Sequence, residues 1–527
     1  MTATREAVLT VAPASGSMPR QIPFIIATEG CERFSFYGMR NILTSFLVSS
    51  LLLYLPAADR PSVAKEVFHS FVIGVYFFPL LGGWLSDRFF GKYNTTLWFS
   101  LIYCAGHACL AAFDDNRTGF YTGLFLIALG SGGIKPLVTA FVGDQFDKTN
   151  KHRAKVVYDA FYWIINFGSF FASFFMPIFL RHFGGSVAFG IPGVLMFVAT
   201  VVFFAGRKRY VICPPSPPNP DSFLNVVRTA LLARVPGQSR PGLILAVIGA
   251  LLALGSLALL PEIGFIASFC LALVLVMGFF GSGAWMQLER ARAKHGDEAT
   301  EGVRAVLRLL VVFALVTPFW SLFDQKASTW ILQADKMTKP DWFQSSQMQA
   351  LNPALVMILI PFNNAVLYPL VRRAGYDTSS ALRRMTVGLV FPGIAWIIVG
   401  ATQLVIESGV PVSITWQMLP YAFLTFGEIL VVATAYEFSY SQAPASMKGV
   451  LMAFFLLTTT VGNLWVLLVN ASVKSDAVTA KIASTGVSVT AFQMFFFAGF
   501  ALVSALAFAL YARSYDLTDH YRASEAA

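Results

Sequence analysis

The sequence specifies an all-α polytopic membrane protein: two six-helix bundles plus an inserted pair of helices, fourteen spans in all, with both termini cytoplasmic. Three observations lead there. The 527 residues are 56% hydrophobic and 13% charged, with a mean hydropathy of +0.65, whereas soluble domains carry roughly 25% charged residues. Fourteen apolar runs approach the roughly 20 residues that cross a hydrocarbon core. The basic residues cluster in loops on one side of those runs, which fixes their orientation.

Taken in order, residues 1–21 are a polar N-terminal tail without the basic, apolar and cleavage regions of a removable leader. Spans one to six fall near 22–53, 66–88, 94–113, 119–142, 156–180 and 187–206, so 22–206 is the first bundle. Residues 207–303 form a cytoplasmic linker with two added spans, near 242–260 and 264–288. It opens with the Pro-rich stretch Pro214-Pro215-Ser216-Pro217-Pro218 and a short interfacial helix near Phe223–Leu232. Six further spans lie near 304–332, 346–371, 380–405, 412–440, 448–473 and 487–513, giving a second bundle over 304–513 and a cytoplasmic tail over 514–527.

Arg88, Lys92, the Lys148-Lys151-Arg153-Lys155 run, Arg207-Lys208-Arg209, Arg290-Arg292-Lys294, Arg372-Arg373, Arg383-Arg384 and Lys448 all fall on one side, hence the cytoplasmic termini. A net charge of +10 spread over these loops is topology information, so nucleic acid is excluded as a partner. The five cysteines, Cys31, Cys104, Cys109, Cys213 and Cys270, are scattered without metal-type spacing and read as small packing residues. No metal or cofactor is expected, nor any catalytic elbow or metal-hydrolase motif.

Span one contains a string foreign to lipid: Glu29-Gly30-Cys31-Glu32-Arg33-Phe34-Ser35-Phe36-Tyr37-Gly38, then Arg40. At helical spacing Glu29, Glu32, Arg33, Phe36, Tyr37 and Arg40 share one stripe. Ionisable groups at membrane depth cost several kcal/mol unless they pair and face a wet interior, so a functional site is the first reading. The other is a structural salt bridge between two helices, for which two acids and two bases are more than is needed.

The loop after span two, Gly83-Trp84-Leu85-Ser86-Asp87-Arg88-Phe89-Phe90-Gly91-Lys92, resembles the signature of the major facilitator superfamily, which implies that Asp87 and Arg88 pair at a cytoplasmic gate. Other strings are more specific. Glu29 to Gly38 resembles the ExxERFxYYG motif of proton-dependent oligopeptide transporters, with Phe36 where the family has its first Tyr. Phe161-Tyr162-Trp163-Ile164-Ile165-Asn166-Phe167-Gly168-Ser169 is similar to that family's FYxxINxGS signature. Gly132-Gly133-Ile134-Lys135-Pro136, Phe319-Trp320-Ser321-Leu322-Phe323-Asp324-Gln325, and Gly427-Glu428 with Glu437-Phe438-Ser439-Tyr440-Ser441-Gln442-Ala443-Pro444 match too. The resemblance runs from about residue 22 to 513. It implies a major facilitator fold and proton-driven uptake of peptides; the span-seven and span-ten strings look most like the animal carriers.

Depth can be reckoned at about 1.5 Å per residue. Glu29 to Arg33 and Lys135 then reach similar levels in the cytoplasmic half, from spans that run oppositely. A buried Lys135 needs an acid, and Glu29 or Glu32 is the nearby supply. His69 near the start of span two and Asp324 far along span seven both fall towards the periplasm, one from each half, and their contact would make a pH-sensitive gate. The bland reading of His69 is a water-facing residue at the membrane edge; a His at this position in the animal carriers is what the resemblance adds.

Tyr76 lies two turns deeper than His69 on the same face and lines either the pathway or the core. Asn166 and Asn352, polar in apolar company, contact substrate or brace kinked helices. Glu428 sits at mid-depth in span ten, where a charge needs a partner; Glu437, nearer the cytoplasm, reads as structural.

A peptide zwitterion is held by its ends and backbone, with room left for varied side chains. Glu428 is assigned the ammonium, with Asn166 and Asn352; Arg40 and Lys135 take the carboxylate, with Tyr37 and Tyr76 as donors. Phe36, Trp163, Trp320 and Phe455 form apolar pockets or ordinary packing. Glu29, Glu32, Arg33, Lys135, His69 and Asp324 couple protons. The expected partners are di- and tripeptides, protons and the lipid bilayer, the expected location is the bacterial inner membrane, and the expected state is a monomer. The rivals are the same fold carrying nitrate or an amino-acid conjugate, and a membrane-embedded enzyme or nutrient sensor.

Overall fold

The computed structural model describes residues 18–146, 150, 153–215, 217, 219–375, 380–442 and 447–515. Among them the regular structure is helical, apart from one isolated bridge between Thr338 and Ser413. The α-helices are α1 (Ile22–Phe46), α2 (Arg60–Leu85), α3 (Gly91–Ala112), α4 (Arg117–Gly132), α5 (Lys135–Asp144), α6 (Ala154–Ala205), α7 (Phe223–Leu232), α8 (Pro241–Ser256), α9 (Leu260–Met286) and α10 (Glu289–Asp324). They continue as α11 (Thr329–Asp335), α12 (Leu351–Phe362), α13 (Tyr368–Arg373), α14 (Ala381–Glu407), α15 (Met418–Glu428), α16 (Thr434–Gln442), α17 (Lys448–Ser472), α18 (Asp476–Ala483) and α19 (Val489–Arg513).

Among the described residues, ten helical stretches are long and apolar enough to cross a membrane. Glu289–Asp335, of 47 residues, turns at Gly296 near its start, whereas three others, Arg60–Ala112, Val156–Lys208 and Pro241–Met286, span 53, 53 and 46 residues, about twice one crossing. Each of these three turns at a glycine with positive φ: Gly91 at 74°, Gly184 at 79° and Gly264 at 80°. A side chain at such a φ is strained, so glycine makes these tight turns possible. The 25-residue α1 stands apart from the ten because Glu29, Glu32, Arg33 and Arg40 interrupt its apolar run.

Several spans are less regular than hydropathy implied. Expected span four, 119–142, is two helices, because α4 stops at Gly132 and α5 restarts at Lys135 with Pro136 in its first turn. Proline fits a helix start but not its interior. Close packing accompanies the break: a Cβ on Gly132 would lie 2.5 Å from the Phe78 carbonyl oxygen of α2. Spans eight and ten carry π-helical turns at Asn363–Leu367 and Ile429–Ala433. The short α18 has no counterpart in the sequence reading.

The chain divides into two compact units, 1–218 with 326–358 and 413–418, and 219–325 with 359–412 and 419–527. In the first, α1 packs along α6, and a core of Phe46, Phe120, Phe189 and their neighbours fills the space between helices. The 326–358 segment groups here, although sequence order assigns it to the second bundle. Buried hydrogen bonds hold it: Thr44 Oγ1 donates to the Ala327 carbonyl at 2.7 Å, and Gln349 Nε2 to the Asn41 carbonyl at 2.9 Å.

The second unit is built on the pairs α8–α9, α14–α19 and α10–α17. Its amphipathic α7 is docked by Gln287, which donates to the carbonyls of Ala230 and Leu231 at 2.8 and 2.9 Å. His295 adds a bridge, 2.8 Å from Thr229 Oγ1 and 2.8 Å from Asp221 Oδ1.

Candidate functional site

In the first unit, the helical repeat of α1 delivers the charged stripe to the interior. Glu29, Glu32 and Arg40 are buried. Arg33 Nε reaches Glu29 Oε1 at 2.6 Å and lies 3.2 Å from Glu32 Oε2, so one guanidinium faces two carboxylates. A buried cation between two acids is held firmly, because removing either partner strands a charge.

Lys135 is brought to the same cluster, within electrostatic range of Glu29, Glu32, Arg33 and Arg40. The expected ion pair with an acid is not formed. Lys135 Nζ sits over the Phe36 ring, 3.2 Å from its centroid, with the Tyr76 ring at 5.1 Å. Two facts account for this. Arg33, on the same helix as both acids, reaches them first, and the break before Lys135 sets its side chain above Phe36 one turn on. A desolvated ammonium over an aromatic face gains about 2 kcal/mol. The pattern expected Phe36 as a pocket wall; its ring is a cation platform, which the hydroxyl of a Tyr is not needed to make.

Tyr37 packs edge-on to Phe36 at 5.3 Å, and the Arg40 guanidinium lies 5.1 Å from the Phe68 ring centroid. His69 is fully buried, which replaces the water-facing alternative, and its Nε2 is 2.9 Å from Ser328 Oγ. Asn166 Nδ2 donates back to the Tyr162 carbonyl of its own helix at 2.9 Å. Asn352 Oδ1 accepts from Lys326 Nζ at 2.6 Å. Trp163 is exposed rather than packed into a pocket wall.

At the end of α2, Asp87 and Arg88 are both exposed. The ion pair of this loop is instead Lys92 with Asp144 of α5 at 2.7 Å, with Asp87 in electrostatic range of both. The acid partner comes from a different helix, which loop spacing alone does not show.

In the second unit, Asp324 is buried and accepts from Asn463 Nδ2 of α17 at 2.7 Å. Trp320 and Phe323 meet edge-on at 5.7 Å. α17 packs so closely on α10 here that a Cβ on Gly462 would lie 2.5 Å from Trp320 Cβ. Phe455 is buried, 5.5 Å from Phe313. Glu428 closes α15 where the π-helical turn begins, and such turns recur at functional positions. The side chains of Glu437, Lys148, Lys151 and Lys155, and the tails 1–17 and 516–527, lie outside the described residues.

Sequence reasoning missed Lys326, Asn463, Tyr103 and His107. Lys326 gave a usable signal, a charge in the apolar company of span seven. The others are polar or aromatic residues of a kind that ordinary helix packing also uses.

Long apolar helices with buried ion pairs inside them define a multi-span membrane protein of the transporter class. A family model described as "POT family" matches residues 93–485, and the chain belongs to that family. "Peptide transporter 3" of Caenorhabditis elegans is 32% identical over 406 residues, covering 74% of this chain and 51% of its own length. "Solute carrier family 15 member 2" of Homo sapiens is 32% identical over 410 residues, 75% of this chain and 50% of its own. The chain thus spans about half the length of these curated relatives. The solved structure of the "POT family transporter PepTSo" superposes with a TM-score of 0.94 at 65% identity, covering 96% of this chain and 100% of that one. A second, titled as an "auto inhibited POT family peptide transporter", gives 0.93 at 65% identity, over 96% and 99%.

Proposed function

We propose that this chain is a proton-coupled symporter that imports di- and tripeptides by alternating access across a bacterial inner membrane, and that it catalyses no chemical reaction. The observation that carries the reading is the buried Glu29-Arg33-Glu32 cluster with Lys135 held beside it on an aromatic ring. Two bases and two acids in an apolar helix bundle form a set whose pairing changes when one acid gains a proton. The relatives named as peptide transporters support the cargo. The three double-length stretches, each turning at a glycine, support fourteen crossings with cytoplasmic termini.

In the proposed cycle Arg40 and Lys135 receive the peptide carboxylate, with Tyr37 and Tyr76 as donors. Glu428 receives the ammonium, aided by Asn166 and by Asn352 with its Lys326 partner. Trp320 and Phe455 supply apolar surface for side chains, while the Phe36 ring holds Lys135. His69 in the first unit and Asp324 in the second each take part in proton coupling, and Asp87 and Arg88 form part of the cytoplasmic gate, alongside Lys92 and Asp144. The protein works as a monomer with protons and peptide as its partners.

The test is reconstitution into liposomes with an imposed pH gradient, measuring a dipeptide panel. Accumulation against the peptide's own gradient is expected, collapsing when the pH gradient is dissipated. Glu29→Gln or Glu32→Gln is expected to abolish driven uptake while counterflow exchange stays measurable. Failure of every peptide to accumulate in the wild-type protein overturns the cargo. Loss of both activities in a folded variant overturns the coupling role.

A further inference from the structure

A second polar set lies behind Glu32, and none of the roles above employs it. Ser35, Tyr103 and His107 are all fully buried. Ser35 Oγ and His107 Nε2 are 2.9 Å apart, and the Tyr103 ring stacks on His107 with centroids 5.2 Å apart and planes 20° from parallel. Glu32 precedes Ser35 by three residues on α1, and Tyr103 precedes His107 by four on α3. The Ser35–His107 contact therefore brings Glu32 and Tyr103 to the same level, one turn away on each helix. Tyr103 and Glu32 do interact electrostatically.

The two α3 side chains are held in place by close backbone packing. A Cβ on Gly130 of α4 would lie 2.8 Å from Tyr103 Cα, and one on Gly193 of α6 would lie 3.0 Å from His107 Cβ. Helices that touch this closely leave the Tyr103 ring no alternative course. Yet the set is unfinished. Glu32 Oε1, Tyr103 Oη and His107 Nδ1 are buried without a hydrogen bond of good geometry, and Glu32 Oε2 has the 3.2 Å ion pair with Arg33. Each such atom costs about 1–3 kcal/mol, and orphaned groups clustered together call for another state that satisfies them.

We propose that Tyr103 is a positioning residue for proton coupling: it receives the Glu32 carboxyl group once that group is protonated, with His107 and Ser35 fixing the phenol ring. The inference rests on the coupling role proposed for Glu32. The charged and titratable groups that face Glu32 are Arg33 and Glu29 from α1, Lys135 from α5 and Tyr103 from α3. Arg33 and Lys135 attract the carboxylate and Glu29 repels it, while Tyr103 alone is neutral. With a proton bound, Glu32 loses its Coulombic hold on Arg33, and its O–H turns to donate to Tyr103 Oη. Arg33 is then left to Glu29. The tyrosine thus sets where the protonated acid rests, and so the pH at which the cluster switches.

The experiment is Tyr103→Phe, which deletes one oxygen and keeps the stacked ring. In the reconstituted system, peptide counterflow should stay within about threefold of wild type. The pH of half-maximal driven uptake should fall by about 0.5–1 unit, the worth of one hydrogen bond. A readout independent of cargo is infrared titration of the purified protein, with the Glu32 carboxyl band assigned by its disappearance in Glu32→Gln. Tyr103→Phe should raise the carbonyl frequency of that band and move its titration midpoint to lower pH. His107→Asn, which keeps a polar partner for Ser35 but frees the ring, should act in the same direction and serves if Tyr103→Phe does not fold. A folded variant with unchanged pH profile and unchanged band overturns the proposal. Should the wild-type protein accumulate no peptide, the cargo reading fails on its own, and the infrared result still decides the part played by Tyr103.

Discussion

Replacing Arg33 with methionine isolates what the charged stripe does for the fold. Its Nε is 2.6 Å from Glu29 and 3.2 Å from Glu32, and its side chain is only 12% exposed, against 1% and 0% for the acids. Methionine fills much of the volume, so packing loss is small and charge dominates. Breaking a buried ion set from one side typically costs about 3–5 kcal/mol, whereas neutralising all members together is often close to neutral. Arg33→Met is therefore expected to destabilise by about that amount, seen as a fall of several degrees in the melting temperature of detergent-purified protein. The triple variant Arg33→Met/Glu29→Gln/Glu32→Gln should recover most of the loss, leaving about 1–2 kcal/mol. Arg88→Met, at an exposed position, should change stability by less than about 0.5 kcal/mol. Both Arg33 variants should lose proton-driven uptake. A triple variant as unstable as the single, or a single variant that melts like wild type, would show that the stripe is held by packing and refute the reasoning.

Further outcomes follow from other contacts. Phe36→Leu removes the ring beneath Lys135, and peptide affinity should fall about 5- to 30-fold, the worth of a desolvated cation–π contact, measured by concentration-dependent counterflow; unchanged affinity would place Lys135 outside the binding site. Gly82→Ala would put a Cβ 2.2 Å from the Gly132 carbonyl oxygen, so the α2–α4 pair must part, at about 1–3 kcal/mol or more; a melting temperature equal to wild type would refute that packing. Asn463→Leu strips Asp324 of its 2.7 Å donor and should cost about 1–3 kcal/mol, while Asn463→Leu/Asp324→Leu should recover part of it, by the same melting assay. Lys326→Met, which removes the 2.6 Å contact to Asn352, should raise the peptide concentration for half-maximal exchange; an unchanged concentration dependence separates this pair from the substrate.

The α1 cluster was legible in the sequence because a charge in an apolar span is so expensive that its presence alone is a signal. Lys135 and Asp324 stood out for the same reason. Tyr103 and His107 did not, since an aromatic or a histidine in a membrane helix is ordinary filling until a second helix is laid beside it. The partner of Lys135 could not be read either. Hydropathy shows its depth, but whether an ammonium meets a carboxylate or a ring depends on the helix break at Gly132 and on Arg33 occupying the acids.

Composition and the spacing of apolar runs by themselves determined an all-helical membrane protein, the approximate place of each span, and which buried charges need a task. These follow from properties each segment carries alone: the thickness of lipid, the helical repeat and the cost of desolvating a charge. Tertiary structure decided what meets what: Arg33 over both acids, Lys135 on Phe36, Lys92 with Asp144, Asn463 on Asp324, and the 326–358 segment grouped with first-half helices. The physical reason is that a side-chain contact is fixed by the axial shift and rotation of two helices. Those are set by close approaches such as Gly130 on Tyr103 and Gly82 on Gly132, which involve residues far apart in the chain.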